Sequence, residues 1–163
     1  MKILNHRQIQ QKIRRLAIQI WERNYEQSEI ILAGINNNGI SFAELLLQEL
    51  LRITDLTVTV TRIQLNPAAP LTMPVNLEYP AEQLNDKVII IVDDVANTGR
   101  TIFYAMKPLF RVVPKKIEVA VLIDRKHKSF PVRVNYVGLT LATTLKENIN
   151  VDLAETEMSV ALN

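Results

Sequence analysis

The stretch Val88-Ile89-Ile90-Ile91-Val92-Asp93-Asp94-Val95-Ala96-Asn97-Thr98-Gly99-Arg100-Thr101 constrains this chain most. Within it an apolar run gives way to two adjacent carboxylates and then to a small polar turn. The apolar run suits a parallel strand buried on both faces better than an alternating edge strand. Open α/β sheets bind ligands beyond the carboxyl ends of their strands, which is where Asp93 and Asp94 fall. Thr98, Gly99 and Thr101 can turn sharply and present N–H groups and hydroxyls at a helix start, as a phosphate cradle does. Carboxylates there would repel a bare anion, so they suit sugar hydroxyls or the placing of a divalent cation. The implied ligand is a sugar phosphate. The plainer alternative is an ordinary strand-to-helix turn whose aspartate caps the helix.

The rest of the chain supplies a setting for that site. At 163 residues it is one domain's worth and needs no disulfide or metal staple. With 48% apolar and 22% charged residues, and no apolar run long enough to span a bilayer, a soluble domain is expected, without membrane association. Met1 to Gln8 turns polar too soon for a secretory signal and cysteine is absent, so the cytoplasm is the expected compartment. A net charge of +2 permits nucleic-acid contact without demanding it.

In chain order, Asn5 is a plausible N-cap for an amphipathic helix ending near Asn24, with Ile9, Ile13, Leu16, Ala17, Ile20 and Trp21 as its apolar side. Trp21 reads as core filler, and Arg14, Arg15 and Arg23 as a solvated face. Ile30 to Ile35 is a strand, Asn36-Asn37-Asn38-Gly39 a turn, and Ile40 to about Leu51 a helix. Leu56 to Thr61 alternates as a half-buried strand. The four prolines between Leu65 and Asn85 mark a long flexible loop, a flap over the site, with partial order expected around Val75 to Leu77 and mobility around Asn66 to Pro70. A helix carrying Ile102, Ala105, Met106, Leu109 and Phe110 follows. A strand from Ile117 to Ile123 then leads to a charged turn, Asp124 to Lys128, at the same sheet edge as Asp93 and Asp94. Strands near Val134 to Val137 and Ile149 to Leu153 pair to close the domain.

The central run resembles the signature of type I phosphoribosyltransferases, in which two acidic residues end a strand and a Thr-Gly-x-Thr turn follows. The likeness extends to Ile20-Trp21-Glu22-Arg23-Asn24, Ala33-Gly34-Ile35, Ala120 through Arg133 and Tyr136-Val137-Gly138, covering roughly nine-tenths of the chain. Those stretches resemble the bifunctional pyrimidine-operon regulators that are also uracil phosphoribosyltransferases. The resemblance implies an α/β fold over residues 1–163: a central, mostly parallel sheet flanked by helices, with a small hood formed by parts of the C-terminal region. It also implies transfer of ribose 5-phosphate from phosphoribosyl pyrophosphate to a base, with Mg2+ bound to the donor.

Carried over by position, Asp93 and Asp94 hold the ribose hydroxyls. Ala96, Asn97, Thr98, Gly99, Arg100 and Thr101 wrap the 5′-phosphate, and Asn36, Asn37, Asn38 and Gly39 meet the pyrophosphate. Asp124 and Arg125 line the site beneath the base, while the stretch Val137 to Thr144, which includes Val137 and Gly138, matches the hood side where a pyrimidine rests. Asn97 stands where purine-specific relatives commonly have an aspartate, and an amide cannot act as a general base, so uracil or a similar pyrimidine is the expected acceptor. His6, exposed near a helix start, and His127, on the surface or the site rim, are not needed as catalysts.

Two departures accompany the likeness. Asn38 occupies a position that is basic in the pyrimidine regulators, and Leu65 to Pro70 lacks their loop Tyr and Arg residues, although Arg62 lies nearby. Leaving-group stabilisation loses charge-assisted contacts as a result. Three readings follow: a magnesium-dependent enzyme, a non-catalytic sensor of phosphoribosyl pyrophosphate or nucleotide, and an RNA-binding regulator. The last would use Arg14, Arg15, Lys126 and Lys128, presented by a homodimer.

Overall fold

Residues 1–144 and 146–163 are described by a computed structural model. In chain order it contains β1 (Lys2–Leu4), α1 (His6–Asn24), β2 (Glu29–Ile35), α2 (Asn36–Ile53), β3 (Thr57–Gln64), β4 (Asn76–Leu77), β5 (Val88–Ala96), α3 (Arg100–Ala105), β6 (Lys116–Arg125), β7 (Tyr136–Leu141), β8 (Ile149–Asp152) and β9 (Ser159–Leu162). Short 3₁₀ turns lie at Ala81–Leu84 and Lys107–Arg111.

Six strands form the main sheet in the order β4-β3-β2-β5-β6-β7, all parallel except the short β4. β5 is central, and its apolar run divides between the two faces. Val88, Ile90 and Val92 pack with Ile9, Ile13, Leu16, Ile20, Phe42 and Leu46 of α1 and α2. Ile89 and Ile91 pack with Ile102, Ala105 and Leu109 on the other face. Each fully buried side chain of this size contributes about 1.5–3 kcal/mol, which is why a strand with no polar alternation takes the middle of the sheet.

α1 begins with a capping box. The Asn5 carboxamide oxygen accepts from Gln8 N at 2.9 Å, and the Gln8 carboxamide accepts from Asn5 N at 2.9 Å. The helix buries Ile9, Ile13, Leu16, Ala17, Ile20 and Asn24, a stripe that Trp21 misses by one position; Trp21 is 37% exposed and not core filler. Nor is the arginine face merely solvated. Arg15 Nη2 donates to the carbonyls of Val137 at 3.0 Å and Gly138 at 2.7 Å, and Arg23 Nη1 to that of Asn135 at 3.1 Å. The Arg23 guanidinium also lies 4.9 Å from the centre of the Tyr136 ring. Long basic side chains here bridge α1 to the outermost parallel strand.

A second sheet, β1-β9-β8, is antiparallel and joins both ends of the chain. It corrects the expected closing pair: β7 is the edge of the main sheet, and β8 belongs to the other one. His6 is half-buried rather than exposed, because its Nδ1 accepts from Met158 N at 3.0 Å and ties α1 to β9. The expected third helix is also shorter. It breaks after Ala105 and continues as a 3₁₀ turn around Pro108, leaving Phe110 75% exposed.

Candidate active site

The carboxyl ends of β2, β5 and β6 converge on one edge of the sheet. Asp93 and Asp94 lie just inside β5, which runs on to Ala96 instead of stopping at the carboxylates. Asp93 is buried, and its Oδ1 accepts from Asp94 N at 2.9 Å. Burial pushes its carboxyl well above the usual carboxylate range, and the neighbouring Asp94 charge adds to the rise. Asp94 is more open. Its Oδ1 accepts from Val95 N at 2.8 Å and its Oδ2 from the Asn38 amide at 2.9 Å.

Asn36 to Gly39 form the first turn of α2, not a free turn ahead of it. Asn36 takes a φ of 51°, an excursion that asparagine tolerates better than most residues. Its carboxamide grips the backbone of Leu65, Nδ2 donating to Leu65 O at 3.0 Å and Oδ1 accepting from Leu65 N at 3.1 Å. Asn38 reaches Asp94. Gly39 makes the close approach possible, because a Cβ there would lie 2.6 Å from Val92 O. The asparagine run therefore ties the root of the long loop to the acidic pair.

Beyond β5, Ala96 to Thr101 wrap a cavity of about 490 Å³ that also meets Ser129 and Phe130. Gly99 has a φ of 87°, a left-handed turn that glycine adopts without strain, and α3 begins at the next residue. The Thr98 carbonyl accepts from Ser129 N at 2.9 Å and Phe130 N at 3.2 Å, and the Thr98 hydroxyl accepts from Arg100 N at 3.4 Å. A pinned, glycine-turned loop with backbone N–H groups and hydroxyls at its rim is suited to a tetrahedral oxyanion.

Asp124 and Arg125 are the last residues of β6 rather than part of the turn after it, and Asp124 is in register with Ala96. Arg125 spans two segments: Nε donates to Thr143 Oγ1 at 2.7 Å, Nη2 to Thr144 O at 2.5 Å and Nη1 to Asn97 Oδ1 at 3.3 Å. Lys128 Nζ donates to Asp124 Oδ1 at 2.7 Å, to Asn97 O at 2.9 Å and to the Arg125 carbonyl. Lys128 thus lies at this sheet edge, as expected of the charged turn Asp124 to Lys128, and its spacing of four residues from Asp124 allows the ion pair.

Val137 and Gly138 lie apart from this group. Val137 is level with Val121, whereas Asp124 and Arg125 are level with Thr140 and Leu141, roughly 10 Å further along the strand. A second cleft is lined by Ile35, Asn36, Asn37, Asn38, Pro67, Asp93, Asp94, Val95, Asn97, Thr101 and Ile149. It joins the acidic pair, the asparagine turn and the phosphate-type loop in one space of about 450 Å³. The 65–85 loop reaches it through Pro67, whose carbonyl accepts from Arg100 Nη2 at 2.6 Å. Partial order in that loop occurs as expected, β4 pairing antiparallel with β3.

Comparison with known proteins decides what family this arrangement represents. The model of the phosphoribosyl transferase domain matches residues 1–156. The chain belongs to the phosphoribosyltransferase family. Similar relatives of this phosphoribosyltransferase-family chain include a protein named "Bifunctional protein PyrR" from Bacillus pumilus, 35% identical over an alignment that covers 96% of this chain and 92% of the relative. Another of that name, from Streptomyces coelicolor, is 33% identical, covering 94% and 83%. Among solved structures, a hypoxanthine-guanine phosphoribosyltransferase from Bacillus anthracis superposes with a TM-score of 0.70 at 23% identity, over 86% of this chain and 81% of that one. The fold is that of type I phosphoribosyltransferases, as the sequence resemblance implies.

Proposed function

We propose that the protein transfers ribose 5-phosphate from phosphoribosyl pyrophosphate to a pyrimidine-type base, uracil foremost, releasing pyrophosphate. The observation that carries this reading is the convergence of Asp93 and Asp94, the Ala96–Thr101 loop and the Asn36–Gly39 turn on one cleft. The carboxylates accept hydrogen bonds from the ribose hydroxyls, and the glycine-turned loop takes the 5′-phosphate through N–H groups and the hydroxyls of Thr98 and Thr101. As pyrophosphate departs, C1′ becomes oxocarbenium-like, so the protein's work is orientation and the stabilisation of a leaving anion. No enzyme nucleophile is required.

Among the described residues, no three His, Cys, Asp or Glu gather into a metal site. The donor set suits a magnesium ion arriving on the donor's own phosphate oxygens, with Asp93 and Asp94 beside it. Bound there, magnesium would neutralise charge on the departing pyrophosphate. Asn97 argues for a pyrimidine, since its Oδ1 already accepts from Arg125 and an amide supplies no general base.

A second reading, a donor or nucleotide sensor without turnover, is favoured by one observation: the Asn38 amide is engaged with Asp94, and Asn36 to Gly39 bring no cation to the pyrophosphate side. A pyrophosphate-release assay with magnesium, phosphoribosyl pyrophosphate and a panel of bases separates the two. Release with uracil, falling about 100-fold or more in Asp94→Asn, supports the transferase. Donor binding without release from any base supports the sensor. Release with hypoxanthine or guanine alone overturns the pyrimidine assignment.

A further inference from the structure

We infer that Arg62 supplies the positive charge that meets the diphosphate half of the donor, from a cleft on the far side of the asparagine turn. This inference rests on the transferase reading and names a residue it left without a role.

Arg62 lies near the end of β3, in register with Gly34 of β2. A Cβ on Gly34 would point into α2, meeting Gly39 C and O and Ile40 Cα at 2.7 Å. Register partners in a parallel sheet send their side chains to the same face, so the Arg62 side chain leaves β3 toward the first turn of α2. Val58 and Val60, of the same alternation, pack on the α1–α2 side and agree with that direction. There Arg62 borders a cleft of about 430 Å³ whose other walls include Asn36, Asn37, Gln64, Met73 and Pro74. Asn36 and Asn37 also line the cleft that holds Asp93 and Asp94, so the turn is a shared wall and an anion over it reaches both.

The weak pairing of Arg62 fits such a ligand. Among the described residues its Nε is enclosed without a hydrogen-bond partner, and Nη1 has a loose ion pair with the exposed Glu78 at 3.9 Å. Exposed pairs at that separation contribute little. The side chain is about one-third exposed, so an oxyanion in the cleft would meet the Nη end of the guanidinium, whose fork matches phosphate oxygens. Arg125 is different, since it already donates to Thr143, Thr144 and Asn97. Met73 and Pro74, from the long loop, lie along the same cleft and would shield an anion held there from water.

The test is calorimetric titration of three probes in the presence of magnesium: inorganic pyrophosphate, phosphoribosyl pyrophosphate and ribose 5-phosphate. Arg62→Gln is expected to weaken the first two by about tenfold or more and ribose 5-phosphate by less than twofold. Unchanged pyrophosphate affinity, or an equal loss for ribose 5-phosphate, would overturn the assignment. In the wild-type protein, phenylglyoxal labelling read by mass spectrometry needs no folded variant. Magnesium pyrophosphate is expected to protect Arg62 while ribose 5-phosphate does not; labelling indifferent to pyrophosphate counts against the inference. If the transferase reading fails, no base supports turnover, whereas the failure of this inference is read in binding alone.

Discussion

Asp93 combines a buried carboxyl with an acidic neighbour, and that combination has a measurable consequence for stability. Its folded-state value is raised above the ordinary carboxylate value of roughly 4, so its favourable contribution is complete at lower pH and is lost as pH rises through the raised value. Asp93→Asn is therefore expected to raise the melting temperature at pH 7 to 8, with the advantage shrinking toward pH 4. Melting curves across that range check it, and a variant less stable at pH 8 than at pH 4, relative to wild type, would show that Asp93 is ionised at no cost. The acidic pair and the Thr98-Gly99-Arg100-Thr101 turn were legible from residue type alone, because their order is dictated by the chemistry of a strand end. The bond partners of Lys128, and the reach of Arg15 and Arg23, were not. Long side chains select partners that are distant in sequence: Arg15 bonds Gly138.

At the scale of elements, the asparagine run is the instructive case. Three consecutive asparagines read as a turn because asparagine is a poor helix former that prefers caps and loops. Here the first turn of α2 is held by tertiary bonds instead, Asn36 to Leu65 and Asn38 to Asp94. Gly39→Ala would force a Cβ against Val92 O, an atom of the central strand that cannot swing aside. The expected cost is about 1–3 kcal/mol, read as a drop of several degrees in melting temperature, together with weaker binding at the acidic pair. A variant as stable as wild type would mean that the helix start can shift freely. β1 and β9 escaped sequence reading for a different reason: strands of three and four residues are too short to show a period.

The same limit applies to α1. Its capping box and buried stripe follow from local pattern, whereas its attachment to β7 depends on the fold. Arg15→Ala removes two bonds to the carbonyls of Val137 and Gly138 on an edge strand. Each such bond from a charged donor is worth about 1.5–3 kcal/mol at most, and less at this exposed position. Faster hydrogen exchange at β7 amides, with β5 amides unaffected, is the expected result. Uniform loosening of both strands would place Arg15 in the global core instead.

Across the whole molecule, the phosphoribosyltransferase fold sets one sheet edge as the place where the acidic pair, the glycine-turned loop and the asparagine turn meet. The mostly parallel sheet and the two-sided burial of β5 could be anticipated from the apolar run and the resemblance. The second sheet, built from opposite ends of the chain, could not, since its pairing is long-range. The claim on which the rest depends is that this cleft holds a ribose 5-phosphate group. A crystal structure with ribose 5-phosphate tests it most directly. The predicted result is a phosphate bonded to the backbone N–H groups and hydroxyls of Thr98 to Thr101, with sugar hydroxyls on Asp93 and Asp94. A sugar phosphate bound elsewhere, or none at saturating concentration, would contradict it.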